Sequence, residues 1–270
     1  MTEQTKFLLL PCLLLISVYS FSVRSELTIY TEEFPPYNYS EHGVIRGINI
    51  DILKLACTNA NIQCAFEIYP WKRAMFLTLK DPNSGLVSTS RTPSRENMFK
   101  WVGPLVSSTA CLFKLKKRKD IQVSKREELL EYTIGLQKGD VYEDILKSWG
   151  FVQDQNYIAS YEKYSSVKAF VSGKLDLFIA SATTLEYHFK SSQLSRNKIE
   201  PIYVISDSRL QGNFLALNKL LENEVVERLQ KEVNSLIEND RHLTIKKSYV
   251  DYASEFNGSG TDLAKRCFYI

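Results

Sequence analysis

The chain has 270 residues and a nearly balanced charge, with 34 lysine and arginine residues, 31 aspartate and glutamate residues and a formal net charge of +3. This balance argues against a protein that binds nucleic acid through general electrostatic attraction. The length allows one large domain or two lobes of ordinary size, each able to bury its own core.

The first 25 residues have the pattern of a secretory signal peptide. A weakly positive start at Lys6 precedes an almost uncharged apolar run from Phe7 to Phe21, and small residues follow, ending at Ser25. This run of about 15 residues is shorter than the roughly 20 that a membrane-spanning helix needs. We therefore expect residues 1–25 to be removed, which lowers the formal charge to +2. The mature protein should be soluble and exported.

From residue 26 onward, predicted strands alternate with predicted helices. Strands are predicted at 27–30, 65–69, 86–88, 132–136, 176–180 and 213–217. Helices are predicted from Gly47 onward and at 71–79, 141–149, 165–172 and 222–239. Such alternation indicates parallel βαβ units, in which ligands bind at the carboxyl ends of the strands. The residues after 252 are polar and contain glycine, so we expect a poorly ordered tail.

The segment after the third predicted strand has the composition of a small carboxylate site. Ser88 and Ser90 provide hydroxyl groups, Thr92 and Pro93 favour a turn and the start of a helix, and Arg95 follows. A guanidinium binds a carboxylate through two parallel hydrogen bonds, and a helix N-terminus adds partial positive charge. This segment has two interpretations, a carboxylate held by Arg95 or a solvated Arg95 beside hydroxyl groups that cap a turn. Taken alone it favours the second, and the rest of the chain favours the first.

Four cysteines remain after the predicted cleavage. Cys57 and Cys64 flank a loop of six residues between a helix and a strand, which allows the short Cα–Cα distance that a disulfide requires. We predict a disulfide between them. Cys111 and Cys267 are either free or paired with each other. The cysteines and three histidines show no ligand spacing, so no metal or other cofactor is expected.

A short basic run at 114–119 stands at the end of a predicted strand. It has two interpretations, a nucleic-acid patch or a solvated strand edge that discourages pairing with other chains. The nearly balanced charge of the whole chain favours the edge. We therefore expect no nucleic-acid partner.

Taken together, these segments resemble the periplasmic solute-binding proteins of the amino-acid class, family 3, which serve ABC transporters. The resemblance covers roughly residues 26–250. Its motifs are, in chain order, the aromatic loop 34–37, the helix start 47–51, the segments 92–95 and 99–104, and the segments 136–139 and 173–176 of the second half. The Cys57–Cys64 pair is also similar to a disulfide of the members that bind cationic amino acids.

The resemblance implies an α/β protein with the two-lobed periplasmic-binding-protein type II fold. Mixed β-sheets flanked by helices would form each lobe, and a two-strand hinge would let the lobes close over a solute. The first lobe would comprise residues 26–112 and 211–250, and the second lobe residues 113–210. Residues 251–270 would form the C-terminal tail.

The resemblance also implies a set of ligand-binding residues. In the family, an arginine holds the carboxylate of the ligand, two aromatic walls enclose its side chain, and a loop of the second lobe meets the carboxylate at a helix N-terminus. The matching residues here are Arg95 with Ser88 and Ser90, the aromatic residues Phe34 and Trp71, and the loop residues Gln137, Gly139 and Asp140.

Two departures from the family concern the amino group of a ligand. Ser181 stands where many members have an aspartate that holds the ligand's ammonium, and Thr31 stands where an aspartate is often found. Arg73 either adds a second cation to the cleft or lies on the surface of an amphipathic helix. Glu32 and Glu33 either balance a cation or are solvated. We therefore expect an anionic or carboxylate-rich solute rather than a free α-amino acid held in the usual way.

The resemblance implies a periplasmic, monomeric binding protein that is not an enzyme. It would capture a small polar or carboxylate-bearing, amino-acid-like solute and deliver it to an inner-membrane ABC transporter permease. The alternative is a periplasmic dehydratase-like enzyme acting on a small carboxylic acid in the same cleft. Such a reaction needs a general acid or base, for which Glu33 and Asp140 are candidates, while no histidine lies in a predicted cleft motif.

Overall fold

A computed structural model describes residues 26–107, 109–161, 165–250 and 261–268; the predicted signal peptide lies outside them. The strands are β1 Leu27–Thr31, β2 Tyr39–Glu41, β3 Val44–Arg46, β4 Cys64–Ile68, β5 Ser84–Thr89, β6 Phe99–Val106, β7 Ala110–Leu115, β8 Ile134–Gln137, β9 Tyr157–Ser160, β10 Leu177–Ser181, β11 Ile199–Ile205 and β12 Asn213–Asn218. The helices are α1 Ile48–Asn59, α2 Trp71–Lys80, α3 Val141–Ser148, α4 Ser165–Val171, α5 Ala182–Ser191, α6 Asn223–Glu238, α7 Arg241–Tyr249 and α8 Asp262–Phe268. None of these helices is long and apolar enough to cross a membrane.

The first lobe is built on a five-stranded sheet in the order β4-β1-β5-β12-β6. β1 pairs in parallel with β4 and β5, whereas β12 is antiparallel to β5 and β6. Helices α1, α6 and α7 cover one face, where Leu53 and Leu229 are fully buried. Helix α2 covers the other face over Leu86 and Ala216. The amphipathic helices thus bury the apolar residues that the sequence pattern predicts.

The second lobe is built on a five-stranded sheet in the order β11-β7-β10-β8-β9. β8 is parallel to β9 and β10, while β7 is antiparallel to β10 and β11. Helix α3 covers one face through Ile145 and Leu146. Helices α4 and α5 cover the other face through Phe170 and Leu185. Two mixed sheets flanked by helices confirm the predicted fold class.

The position of β7 corrects the interpretation of the basic run at 114–119. β7 lies between β11 and β10, so the run does not stand at a sheet edge. Lys114 is buried and donates a hydrogen bond to the Ile121 carbonyl at 2.7 Å. Arg118 forms ion pairs with Asp120 and Asp176. Part of the run therefore stabilises the inside of the second lobe.

The chain passes from the first sheet to the second between Val106 and Ala110 and returns through residues 206–212. The predicted return near residue 211 falls inside this second connection. The predicted first boundary, after Leu112, lies instead within β7. The strand continues past Leu112 because no turn signal follows this residue.

Helix α8 corrects the expectation of a poorly ordered tail. A disulfide joins Cys267 of this helix to Cys111 of β7, and both cysteines are fully buried. The expectation is therefore wrong for residues 261–268, because the bridge and the apolar contacts of Leu263 and Phe268 with the second lobe offset the entropy lost on ordering. Of the two alternatives for Cys111, the structure has the pair.

The second disulfide joins Cys57 at the end of α1 to Cys64 at the start of β4, with 6.3 Å between the two Cα atoms. This confirms the predicted bridge. It closes the turn between the first helix and an edge strand of the first sheet.

Replacing Cys57 and Cys64 by serine should lower the free energy of unfolding by about 2 kcal/mol, because the short closed loop no longer restricts the unfolded chain. Urea unfolding of the mature protein and the double variant measures the change. Mass mapping under non-reducing conditions tests the bridge itself, and two free thiols in the mature protein would contradict the assignment.

Candidate functional site

A cavity of about 180 Å³ lies between the two lobes. Its walls come from the carboxyl ends of β1 and β5 in the first lobe and of β8 and β10 in the second. Nine of the ten predicted ligand-binding residues line it, namely Phe34, Trp71, Ser88, Ser90, Arg95, Gln137, Gly139, Asp140 and Ser181. The small volume suits a single metabolite rather than a polymer.

Arg73 is the predicted residue that the structure places elsewhere. It is exposed, and its guanidinium lies 4.6 Å from the ring centroid of Tyr69. Side chains two positions apart in an α-helix point in directions about 200° apart. Arg73 therefore faces away from Trp71, which lines the cavity. The surface alternative is the one that the structure supports.

Arg95 lies in the first-lobe wall with its guanidinium 5.5 Å from the ring centroid of Trp71. Its Nη1 donates a hydrogen bond to the Ser90 carbonyl at 3.3 Å. Burial lowers the pKa of Arg95, and the nearby Asp144 and Asp140 of the second lobe act in the opposite direction. The pKa of an arginine lies so high that the side chain remains a cation. This cation therefore faces the cavity from a partly desolvated wall.

The backbone around Arg95 differs from the prediction. Glu96–Met98 form a single turn of 3-10 helix, and the chain enters β6 directly at Phe99. The N–H of Arg95 bonds to the Thr92 carbonyl at 2.9 Å within a tight turn. The predicted α-helix start is wrong, because too few residues separate Thr92 from the next strand. One short turn has little dipole, so the guanidinium is the main positive charge of this wall.

Ser88 and Ser90 have different roles. Ser88 has a left-handed backbone with φ of 59°, and its hydroxyl accepts a hydrogen bond from Asn49 Nδ2 at 2.8 Å and donates one to Asn38 Oδ1. Both asparagines are buried. Ser88 thus fastens β5 to α1 and to the loop after β1, while Ser90 is the hydroxyl residue next to Arg95.

Asp140 lies at the N-terminus of α3 in the second-lobe wall. Its Oδ1 accepts a hydrogen bond from the Tyr142 N–H at 3.3 Å, so the carboxylate caps the helix. The preceding Gly139 has φ of 83°, a backbone conformation that glycine adopts without strain. Because this helix end already holds a carboxylate of the protein, it offers little attraction to a second one from a solute.

Buried Glu143 fixes the loop that leads to Asp140. It accepts hydrogen bonds from Lys138 Nζ at 2.7 Å and from the Gly139 N–H at 2.9 Å, and Lys147 lies 3.0 Å away. Burial alone would raise the pKa of Glu143, but these interactions outweigh it and lower the pKa to about 2. Glu143 is therefore ionised at neutral pH and holds the loop in place.

Ser181 caps α5, since its hydroxyl accepts a hydrogen bond from the Thr184 N–H at 3.3 Å. Further along this helix, Tyr187 and His188 also line the cavity. His188 lies outside the predicted cleft motifs, so the motifs alone missed a histidine of the cavity wall. The signal was present in the sequence, because positions 184, 187 and 188 lie on one face of a helix that starts at Ser181.

The two glutamates after β1 lie in different surroundings. Glu32 lines the cavity, and its Oε2 accepts a hydrogen bond from Gln137 Nε2 across the cleft at 3.4 Å. Glu33 is exposed and accepts a hydrogen bond from the Ser40 N–H at 3.1 Å. Glu32 therefore contributes its charge to the cleft, and Glu33 is not placed to act as an acid or base there.

The two lobes also meet at the rim of the cavity. The rings of Tyr39 and Tyr187 lie 6.1 Å apart, and Lys72 Nζ lies 4.9 Å from the ring centroid of Tyr161. Burial, with a hydrogen bond to Tyr39, raises the pKa of Tyr187. Both pairs join the first lobe to the second, so this structure has the lobes in contact.

The described residues contain no group of three or more histidine, cysteine, aspartate or glutamate side chains placed to hold a metal ion. The described residues that line the cavity instead carry the groups of an organic ligand site, namely a guanidinium, two carboxylates, the Lys138 ammonium, the His188 imidazole, hydroxyl groups and aromatic rings.

Two α/β lobes that enclose a small cavity at their strand ends define a two-lobed ligand-binding fold. The chain belongs to the bacterial extracellular solute-binding proteins, family 3, whose family model matches residues 27–252. This confirms the resemblance drawn from the sequence. No match is found among curated protein sequences.

Solved structures share the fold at low sequence identity. An arginine 3rd transport system periplasmic binding protein from Legionella pneumophila is 19% identical, with a TM-score of 0.67 over 83% of this chain and 99% of that chain. A histidine kinase sensor domain is 12% identical, with a TM-score of 0.72 over 84% and 96%. An ancestral amino acid-binding protein, a precursor of cyclohexadienyl dehydratase, is 14% identical, with a TM-score of 0.68 over 84% and 96%. At these identities the ligand must be argued from the site itself.

The ionised Glu143 should make the second lobe sensitive to acid. Its pKa is about 2 in the folded protein and near the ordinary 4.5 in the unfolded chain, so its contribution is present above pH 4.5 and is lost as the pH falls toward 2. The shift corresponds to about 3 kcal/mol. Urea unfolding should therefore show a large loss for Glu143→Gln at pH 7 and a small one at pH 2.5. The exposed Glu227→Gln serves as the control, and a loss for Glu143→Gln that is the same at both pH values would contradict this role.

Proposed function

We propose that the protein captures a small amino-acid-like solute, with one carboxylate and one cationic group, between its lobes and delivers it to an ABC-type membrane transporter. The observation that supports this most is Arg95, a partly desolvated guanidinium beside the ring of Trp71 in the wall of the cavity between the lobes. Membership of the solute-binding family supports the binding role and an extracellular location. The proposal includes export through the predicted signal, a periplasmic location, a monomeric state and an inner-membrane permease as partner.

The carboxylate of the solute would bind to Arg95. The guanidinium presents paired N–H donors to a planar anion, and in the described part of the chain no carboxylate lies within 4.0 Å of it. The Ser90 residue beside it offers a hydroxyl group. The aromatic rings of Phe34 and Trp71, both in the wall, would enclose the apolar part of the solute.

The cationic group of the solute would face Glu32 and Asp140. The expectation of an anionic solute depended on the missing aspartate at Ser181 and on a second cation at Arg73. Arg73 lies outside the cleft and Glu32 lies inside it, so the second of these arguments no longer applies. Once the carboxylate of the solute occupies Arg95, the carboxylates of Glu32 and Asp140 leave the cavity with an excess of negative charge, which a cationic group of the solute would offset. Ser181, whose hydroxyl caps α5, is not needed for this role.

Arg95→Ala should raise the Kd of the bound solute by at least roughly 100-fold, because one partner of a desolvated charge pair is lost. A thermal-shift screen of amino acids, small di-acids and amines identifies solutes, and calorimetry then measures each affinity. Arg73→Ala is the matched control, since it removes the same charge from an exposed position, and it should leave the Kd within about twofold. An unchanged affinity of Arg95→Ala would refute the carboxylate site.

Removal of the amino group from a bound amino acid should weaken binding at least roughly tenfold, because the attraction of the cationic group to the carboxylates of Glu32 and Asp140 is lost. Calorimetry with each amino acid and its deaminated analogue measures this loss. Glu32→Gln and Asp140→Asn should weaken the amino acid more than the analogue. If the analogue binds as tightly as the amino acid, the anionic solute predicted from the sequence is the better description.

A dehydratase-like activity on a small carboxylic acid is the second candidate. Glu32, Asp140 and His188 place groups able to transfer protons in the cavity, which Glu33 does not. Incubation with prephenate tests this candidate, since loss of water and carbon dioxide yields an aromatic product with a strong ultraviolet absorbance. We expect binding without turnover, and product formation that Asp140→Asn abolishes would instead establish an enzyme.

A further inference from the structure

Helix α8, residues Asp262–Phe268, lies beyond the segment that matches the family model, which ends at residue 252. The preceding helix α7 packs on the first lobe through Ile245 and Tyr249. Helix α8 packs on the second lobe, where it contacts β11 and α5. Helix α5 provides Thr184, Tyr187 and His188 to the cavity wall. An additional element of this chain thus lies directly behind one wall of the ligand site.

The Cys111–Cys267 disulfide fastens α8 at a position next to the cavity. Cys111 on β7 is the strand partner of Ala180 on β10, and Ala180 lines the cavity. Ser181, which caps α5, follows Ala180 directly. The bridge therefore connects α8 to the strand pair from which α5 starts.

Apolar contacts connect α8 to the same core as α5. Leu263 and Phe268 pack in one cluster with Leu185 and Phe189 of α5. The ring of Phe268 lies 5.4 Å from that of Phe113, and the Arg196 guanidinium lies 5.3 Å from the Phe268 ring. Leu185 and Phe189 belong to a different face of α5 from the cavity residues, so α8 supports this helix from behind.

We propose that α8, held by the Cys111–Cys267 disulfide, is a brace that positions α5 and with it the second-lobe wall of the cavity. A helix as short as α5, with ten residues, owes most of its stability to packing. Tyr187 of α5 also contacts Tyr39 of the first lobe, so the brace bears on this contact between the lobes as well. The inference goes beyond the proposed function, since it does not depend on which solute binds.

Hydrogen exchange of the mature chain tests the brace. In Cys111→Ser/Cys267→Ser, amide exchange in α5 should accelerate at least roughly tenfold, while exchange in α3 stays within about twofold, because α3 covers the opposite face of the same sheet. The matched control is Cys57→Ser/Cys64→Ser, which removes the first-lobe disulfide and should leave α5 unchanged. Unchanged α5 exchange, or equal acceleration in α3 and α5, would overturn the proposal.

A second measurement reports on the cavity wall directly. Diethyl pyrocarbonate modifies histidine rings, and its rate at His188 should rise at least roughly fivefold when the bridge is lost, while His242 on the first lobe keeps its rate. Phe268→Ala retains the bridge and removes the ring contacts. It can therefore replace the double cysteine variant in this test if that variant does not fold. It should accelerate His188 modification about twofold to threefold. No change at His188 in either variant would refute the brace, whatever the outcome of the solute screen.

Discussion

The site depends on a positive charge that is partly removed from water. Arg95 lies against Trp71 in the first-lobe wall, and the closest opposing charges, Asp140 and Asp144, belong to the other lobe. A cation in this position is costly until an anion completes its surroundings. On the proposed function, a solute that brings a carboxylate to Arg95 would offset this cost and so favour contact between the lobes.

The second lobe places charged side chains opposite Arg95, and hydrogen bonds hold them in position. Glu143 binds Lys138 and the Gly139 N–H beneath the loop, and this holds Asp140 at the end of α3. The wall facing Arg95 consequently carries the Asp140 carboxylate, while the Lys138 ammonium is paired with Glu143. On the proposed function, a solute would meet Arg95 on one side and the Glu32 and Asp140 carboxylates on the other, and this arrangement would favour solutes with separated opposite charges over simple anions.

Much of this could be predicted from local sequence signals. The alternation of strands and helices located the strand ends, and the segment around Ser88 and Arg95 identified the first-lobe wall. Predictions failed where the answer depends on geometry that a motif does not contain. Arg73 follows Trp71 in sequence but points away from it because of helical rotation. The helix expected at Thr92 has no room before β6. Helix α8 depends on a partner strand far away in the sequence, which its own polar residues do not reveal.

The path of the chain has a consequence for how the molecule is assembled. Cys111 and Cys267 are separated by 156 residues, and the return of the chain to the first lobe lies between them. The second lobe therefore begins before the first lobe is complete and ends after it. A fragment that ends at the last strand of the second sheet would lack α8 and the Cys111–Cys267 bridge, so the second lobe reaches its full set of contacts only after the last strand and helices of the first lobe have been made.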